Sequence, residues 1–201
     1  MQFSGQEGSW VIFTVTIAAS LLGLLVRPAV IEKSVFRPYY FLRNKEYDRL
    51  YMSGFVHADM THLLFNMVTF FFFAFPMEQF LGTMSFLLLY IFGLVAGNFC
   101  TYNIHRNDPD YASLGASGAI SAVLFAYVVF FPTSKLVVFP LPIPLPAYML
   151  AGLYLAYTIY ASKKNRGRIN HDAHLCGAIA GLLFVLAIDA SAYTRFAEIV
   201  F

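Results

Sequence analysis

The chain has 201 residues, of which 59% are hydrophobic, 18% aromatic and 12% charged, with a formal net charge of +2. Soluble domains carry about 25% charged residues, so a water-soluble globular protein is excluded, and no basic face is present to hold nucleic acid. The expected class is an all-α membrane protein. No Ser/Gly linker, low-complexity tract or internal repeat divides it, so residues 1–201 read as one domain embedded in the lipid bilayer.

The first ten residues, MQFSGQEGSW, lack the positive region of a cleavable signal peptide, so the apolar run from Trp10 to about Val30 reads as a first membrane helix. Five further runs follow: Leu63 to Phe80, Met84 to Tyr102, Gly115 to Phe131, Ala147 to Ser162 and Ala173 to Ala190. Each is near the ~20 residues that cross ~30 Å of hydrocarbon, and helices are the default because unpaired backbone groups are costly in lipid. Six transmembrane helices with both termini on one side are expected.

The connections differ in character. Arg27 to Thr61 is long and mixed, and its Arg37, Tyr39, Tyr40, Phe41, Arg43 and Tyr47 suit either the membrane interface or a solvated loop. The segment PLPIPLP, with Pro140, Pro142, Pro144 and Pro146, reads as an extended connector between the fourth and fifth runs. Cys100 and Cys176 both lie inside apolar runs and read as small buried hydrophobes rather than as disulfide partners or ligands.

Polar chemistry recurs at the starts of alternate runs: His62 with Asn66 in the second, Ser117 inside Gly-Ala-Ser-Gly in the fourth, and His174 in the sixth. If every run spans, these three starts share one leaflet. From Ser117 to Phe131 the chain would rise only ~22 Å, so Ser117 sits below the membrane surface, where the non-helical backbone before it must line a water-filled cavity.

A serine hydroxyl is a weak nucleophile until a base takes its proton. His174 is placed to do so. Gly177 and Gly181 follow it at i+3 and i+7, a Gly-x-x-x-Gly pair that lets two helices approach closely, and Gly118 and Ala122 offer a matching smooth surface; the same spacing also serves packing alone. His171, one turn before His174, competes for the role of base, whereas Asp172 turns to another face, so a Ser-His dyad is expected rather than a triad. His62 and Asn66 share a helical face and can donate to a developing oxyanion together with the Ser117 backbone N–H, one such donor being worth ~3 kcal/mol of barrier. His57 lies roughly 140° around the helix from His62 and reads as the support of a loop. These groups point to an intramembrane hydrolase, and a small transporter with His62, Asn66 and His174 along a polar path is the rival from another class.

The strings HADMTHLLFN at 57–66, GASG at 115–118 and AHLCGAIAG at 173–181, in this order and spacing, resemble the rhomboid intramembrane serine proteases across essentially residues 10–190. The resemblance implies a six-helix rhomboid-like bundle with Ser117 as nucleophile, His174 as general base, His62 and Asn66 in the oxyanion hole, and Gly115 shaping the loop before the nucleophile. It also implies cleavage of single-span membrane proteins near their span ends, without metal or cofactor. Catalytically silent, client-binding rhomboid-like proteins typically lose the serine or the histidine; both are present here. No feature specifies an oligomeric state.

Three departures from the family pattern carry expectations. Some members place an aromatic four residues after the nucleophile, beneath the base histidine; here that residue is Ser121, so something else must orient His174. The Trp-Arg pair of the first loop is missing, with only Arg49 and Leu50 where it would fall. Six-span rhomboids resemble one another in keeping both termini in the cytoplasm and the catalytic face outside, and the compact six-span form suggests a bacterial inner (plasma) membrane. Yet Arg27, Lys33, Arg37, Arg43, Lys45, Arg49, Arg106, Lys163, Lys164, Arg166 and Arg168 fall on the catalytic side, with only Lys135 and Arg195 opposite. The positive-inside rule alone would reverse the protein; the family orientation is adopted. The short fifth run, between Pro146 and Lys163, is the candidate gate for substrate.

Overall fold

The computed structural model describes residues 5–138, 141–163 and 170–201. Residues 1–4, Pro140 of the connector and the cations Lys164, Arg166 and Arg168 lie outside the described residues. Helix α1 covers Glu7–Leu21 and continues as a π-helical turn through Leu22–Val26. The first run therefore stops short of Val30. Pro28 disfavours a helical residue before it, Arg27 adopts φ −140° and ψ 85°, and α2 starts afresh at Ala29–Ser34.

Short helices α3 (Pro38–Phe41) and α4 (Arg49–Met52) follow, the latter passing into a 3-10 turn at Ser53–Phe55. This stretch is folded onto the bundle rather than solvated. Phe36 is fully buried and exchanges two backbone hydrogen bonds of 2.9 Å with Ser113, while the Asn98 amide donates to the Leu50 carbonyl at 2.7 Å and to Ser53 Oγ at 3.0 Å.

The bundle proper consists of α5 (Met60–Leu81), α6 (Thr83–His105), α7 (Ser117–Phe130), α8 (Ala147–Lys163) and α9 (His171–Ile188), with α10 (Ser191–Val200) at its end. Four segments are long and apolar enough to cross a membrane: α1 with its π turn, α5, α6 and α9; α7 and α8 are shorter apolar helices. Helices that are apolar all round suit lipid. Leu64, Phe65 and Phe72 of α5, Leu88 of α6, Leu153 of α8 and Leu183 of α9 are correspondingly exposed on the outer faces. In α10, by contrast, polar and apolar faces are segregated, as in a helix lying in an interface.

Helix α7 is the hub, packed among α5, α6 and α9. Small residues make this possible: Ala119, Ala122 and Ala126 are fully buried, and a Cβ on Gly93 of α6 would overlap the Ala122 side chain. At the opposite end from the polar helix starts, the buried Glu78 carboxylate accepts from the backbone N–H groups of Gly8 at 2.9 Å and Ser9 at 2.6 Å and from the Thr83 hydroxyl at 2.7 Å. Three donors satisfy the carboxylate and tie the start of α1, whose dipole favours a negative group, to the α5–α6 turn.

One connection and one helix pair carry more structure than expected. β1 (Lys135–Val138) pairs antiparallel with β2 (Leu141–Pro146), so the proline-rich connector is one strand of a hairpin. Prolines at every second residue can all turn their missing N–H to the open edge and leave the intervening N–H groups for the partner strand. The reading of the cysteines is overturned. Cys100 of α6 and Cys176 of α9 form a disulfide, with Cα atoms 6.3 Å apart. Gly97 permits the close α6–α9 approach that brings them into range, since its missing Cβ would lie only 3.1 Å from the Ala173 carbonyl oxygen.

Candidate functional site

The starts of α5, α7 and α9 come together at one end of the bundle, and local sequence explains how each is held. Asp59 caps α5 by accepting from the His62 backbone N–H at 2.8 Å. Asn170 caps α9 by accepting from the Ala173 N–H at 3.0 Å, and its amide reaches back to Thr101 Oγ1 of α6 at 2.9 Å. Ser117 is the first residue of α7 rather than the third of a longer run beginning at Gly115, because Gly115 has φ +115°, a left-handed conformation that ends any helix.

Gly115 is constrained twice. Its N–H donates to the Ser53 carbonyl at 2.8 Å, and a Cβ there would lie 2.6 Å from His62 Cε1 and 2.8 Å from His62 Nε2. The His62 ring thus lies directly on the backbone of the Gly-Ala-Ser-Gly turn.

Behind His62 stands His57, fully buried, with the two rings edge to face at 4.9 Å. His57 Nε2 accepts from the Ala116 N–H at 3.4 Å, which leaves Nδ1 as the protonated nitrogen donating to Ser20 Oγ at 3.0 Å; Ser20 in turn donates to the Phe55 carbonyl at 3.3 Å. Burial, with the neighbouring His62, pushes His57 down to about 3, so the ring is neutral and the chain of bonds runs in a single sense. His57 supports the turn.

Helices α7 and α9 touch backbone to backbone. A Cβ on Gly177 would overlap the Gly118 carbonyl oxygen, and one on Gly181 would overlap that of Ala122. This brings the start of α9, with His174, against the start of α7, with Ser117. Ser117, Gly118, Asn98, Ser113 and Asn170 line a cavity of about 10 Å³, room for about one water molecule. Among the described residues the Ser117 hydroxyl and the His174 ring are not hydrogen-bonded to each other. The Asn66 amide is turned back onto the His62 carbonyl at 2.9 Å. Asp172 bonds His105 Nε2 at 3.1 Å. That His105 ring stacks at 3.6 Å on Tyr111, whose phenol is pushed up to about 12 by burial, with Asp172 and Asp108 adding to it.

Two features of the site go beyond or against the sequence reading. Tyr154 of α8 stacks on His174, centroids 6.2 Å apart and planes 24° from parallel, and its hydroxyl is 3.2 Å from Ser121 Oγ. The disulfide lies two residues from His174 along α9, at Cys176. Ser121, standing where an aromatic was expected, was the one hint that a ring must come from elsewhere.

A family model described as the Rhomboid domain matches residues 44–190. The chain belongs to the rhomboid family. Among relatives of this rhomboid chain, a putative rhomboid protease of Bacillus subtilis, YdcA, is 34% identical over 150 residues, covering 70% of the chain and 66% of that protein. Rhomboid protein 1, mitochondrial, of Saccharomyces cerevisiae is 30% identical over 135 residues, 66% of the chain and 39% of that protein. The mitochondrial presenilin-associated rhomboid-like protein of Mus musculus is 27% identical over 194 residues, 89% of the chain and 48% of that protein. The rhomboid chain thus spans about half or less of the mitochondrial relatives and two thirds of the bacterial one. It is an integral membrane protein, and the matched domain contains His57, His62, Asn66, Ser117 and His174.

Proposed function

We propose that the chain is an intramembrane serine endopeptidase that cleaves single-span membrane proteins within or near their spans. The observation that carries this reading is the backbone contact of Gly118 with Gly177, which sets the start of α7 against the start of α9, the two helix starts that carry Ser117 and His174. In this reading a substrate span enters beside α8, unwinds locally and presents a carbonyl carbon to Ser117 Oγ. His174 takes the hydroxyl proton as the Oγ–C bond forms and returns it to the leaving amine as the peptide C–N bond breaks. Water then attacks the acyl ester, again through His174, and frees Ser117. Negative charge on the carbonyl oxygen would be met by the Ser117 N–H, His62 and, after turning from its own helix, Asn66.

For location we propose a bacterial inner membrane with the catalytic face outside. Support comes from the disulfide: Cys100 lies near the end of α6 and Cys176 near the start of α9, both toward the catalytic face, and disulfides persist in oxidising compartments. The cations on that side argue the other way, and accessibility of tags at the two termini in intact cells decides between them. Inaccessible termini are expected; accessible ones refute the orientation.

The decisive experiment on activity is labelling with a serine-directed fluorophosphonate together with cleavage of a panel of single-span substrates. Wild type and His171→Ala are expected to label and cleave, Ser117→Ala and His174→Ala to do neither. A wild type that does neither refutes the reading and favours a client-binding role.

A further inference from the structure

We infer that Tyr154, carried by α8, is the positioning residue that orients the His174 ring, in place of an aromatic on α7. Among the described residues His174 makes two ring contacts: Tyr154 at 6.2 Å, near-parallel, and His171 at 6.0 Å, edge to face. The tyrosine is held on its other side as well. Its ring packs against Phe125 at 6.1 Å, and its hydroxyl meets Ser121 Oγ at 3.2 Å.

Ser121 is one turn below Ser117 on α7 and buried. A ring there would occupy the space under His174; a hydroxyl instead leaves that space for a side chain from α8 and provides a polar anchor for its phenol. The ring under His174 and the residue under Ser117 are therefore joined by one hydrogen bond. A stacked aromatic neighbour restricts the tilt of an imidazole while leaving both ring nitrogens open, which a base that must accept and return a proton requires. Because Tyr154 sits on α8, displacement of that helix withdraws the ring from His174. A neighbouring pair provides an internal comparison: Tyr157, one turn along α8, meets His171 edge to face at 5.7 Å and, among the described residues, makes no ring contact with His174.

This inference rests on the proposed protease activity for its kinetic arm only, so a second readout is independent of turnover. In detergent or liposomes, Tyr154→Leu is expected to lower kcat about five- to tenfold with little change in KM and to shift the acid limb of the kcat–pH profile, whereas Tyr157→Leu does neither. Ser121→Ala, which keeps the ring but frees its hydroxyl, should show a smaller loss in the same sense and covers the case in which Tyr154→Leu does not fold. Moving the ring back to α7 in Tyr154→Leu/Ser121→Tyr is expected to recover kcat. Independently of activity, the rate at which diethyl pyrocarbonate modifies His174, read by mass spectrometry, should rise in Tyr154→Leu and stay at the wild-type value in Tyr157→Leu. An unchanged His174 modification rate in folded Tyr154→Leu and in Ser121→Ala, or an equal rise in Tyr157→Leu, overturns the inference. Absence of turnover in the wild type refutes the protease reading, and the modification rates then decide the positioning of His174.

Discussion

His57 Nε2 accepts the backbone N–H of Ala116, the residue before Ser117, so a ring from the loop ahead of α5 holds the turn that opens α7. The other ring nitrogen continues to Ser20 of α1. Three segments distant in sequence are thereby joined through one neutral imidazole. Replacing it with leucine strands the Ala116 N–H, at a cost of about 1–3 kcal/mol, and removes the bond that Ser20 Oγ accepts while leaving the one it donates to the Phe55 carbonyl. His57→Leu is expected to lower the melting temperature and to lose fluorophosphonate labelling; unchanged values for both would show that the turn holds itself.

The same ring gives a pH dependence whose sign is fixed. Unfolded, His57 titrates near 6.5, while burial and the adjacent His62 hold it at about 3 in the fold. Between these values the unfolded chain binds the extra proton, so stability falls as pH drops from about 6.5 toward 3, and His57 contributes no slope above that window. Melting temperatures between pH 7 and pH 4 should decline more steeply in wild type than in His57→Leu; equal slopes would contradict the burial of a neutral ring.

Gly115→Ala combines a disfavoured positive φ with a clash on His62. A displacement of about 1 Å at a reacting group can cost ~100-fold in rate. A drop of that order in fluorophosphonate labelling rate is expected, with retained secondary structure by circular dichroism. Near-normal labelling would mean that the turn tolerates a right-handed residue.

On the α7–α9 seam, Gly177→Ala and Gly181→Ala each force two backbones apart and are expected to destabilise by ~1–3 kcal/mol or more. Gly152→Ala on α8 meets nothing within 4 Å and should stay within ~1 kcal/mol of wild type. Thermal unfolding of the three variants in one detergent checks the contrast.

Reduction of the Cys100–Cys176 bridge opens a loop of 76 residues, and Cys176→Ala is expected to cost about 2–4 kcal/mol. Alkylation without and with reductant gives a separate check: both thiols should be protected until reduced. Full modification without reductant would show that the bond is not formed in the membrane.

Much of the architecture was legible because lipid imposes it. Runs such as Met84 to Tyr102 must be helical wherever they pack, and the observed α6, Thr83–His105, extends that run only slightly at either end. Boundaries moved where one backbone geometry overruled apolarity: at Arg27, ahead of Pro28, and at Gly115, with its positive φ. The Gly177 and Gly181 spacing likewise announced a close helix contact with Gly118 and Ala122, because small residues at i and i+4 leave a smooth stripe whatever the partner.

What the chain alone determined, then, were the helices and the polar residues at their starts, since both follow from local composition and the 3.6-residue period. Only the tertiary structure decided which groups meet across helices. Tyr154 under His174, Cys100 on Cys176 and His57 between Ser20 and Ala116 depend on the rotation and depth of one helix against another, set jointly by every small residue along a seam. A periodic pattern records which face of a helix is smooth; the partner that fills it is fixed only when all the seams close together.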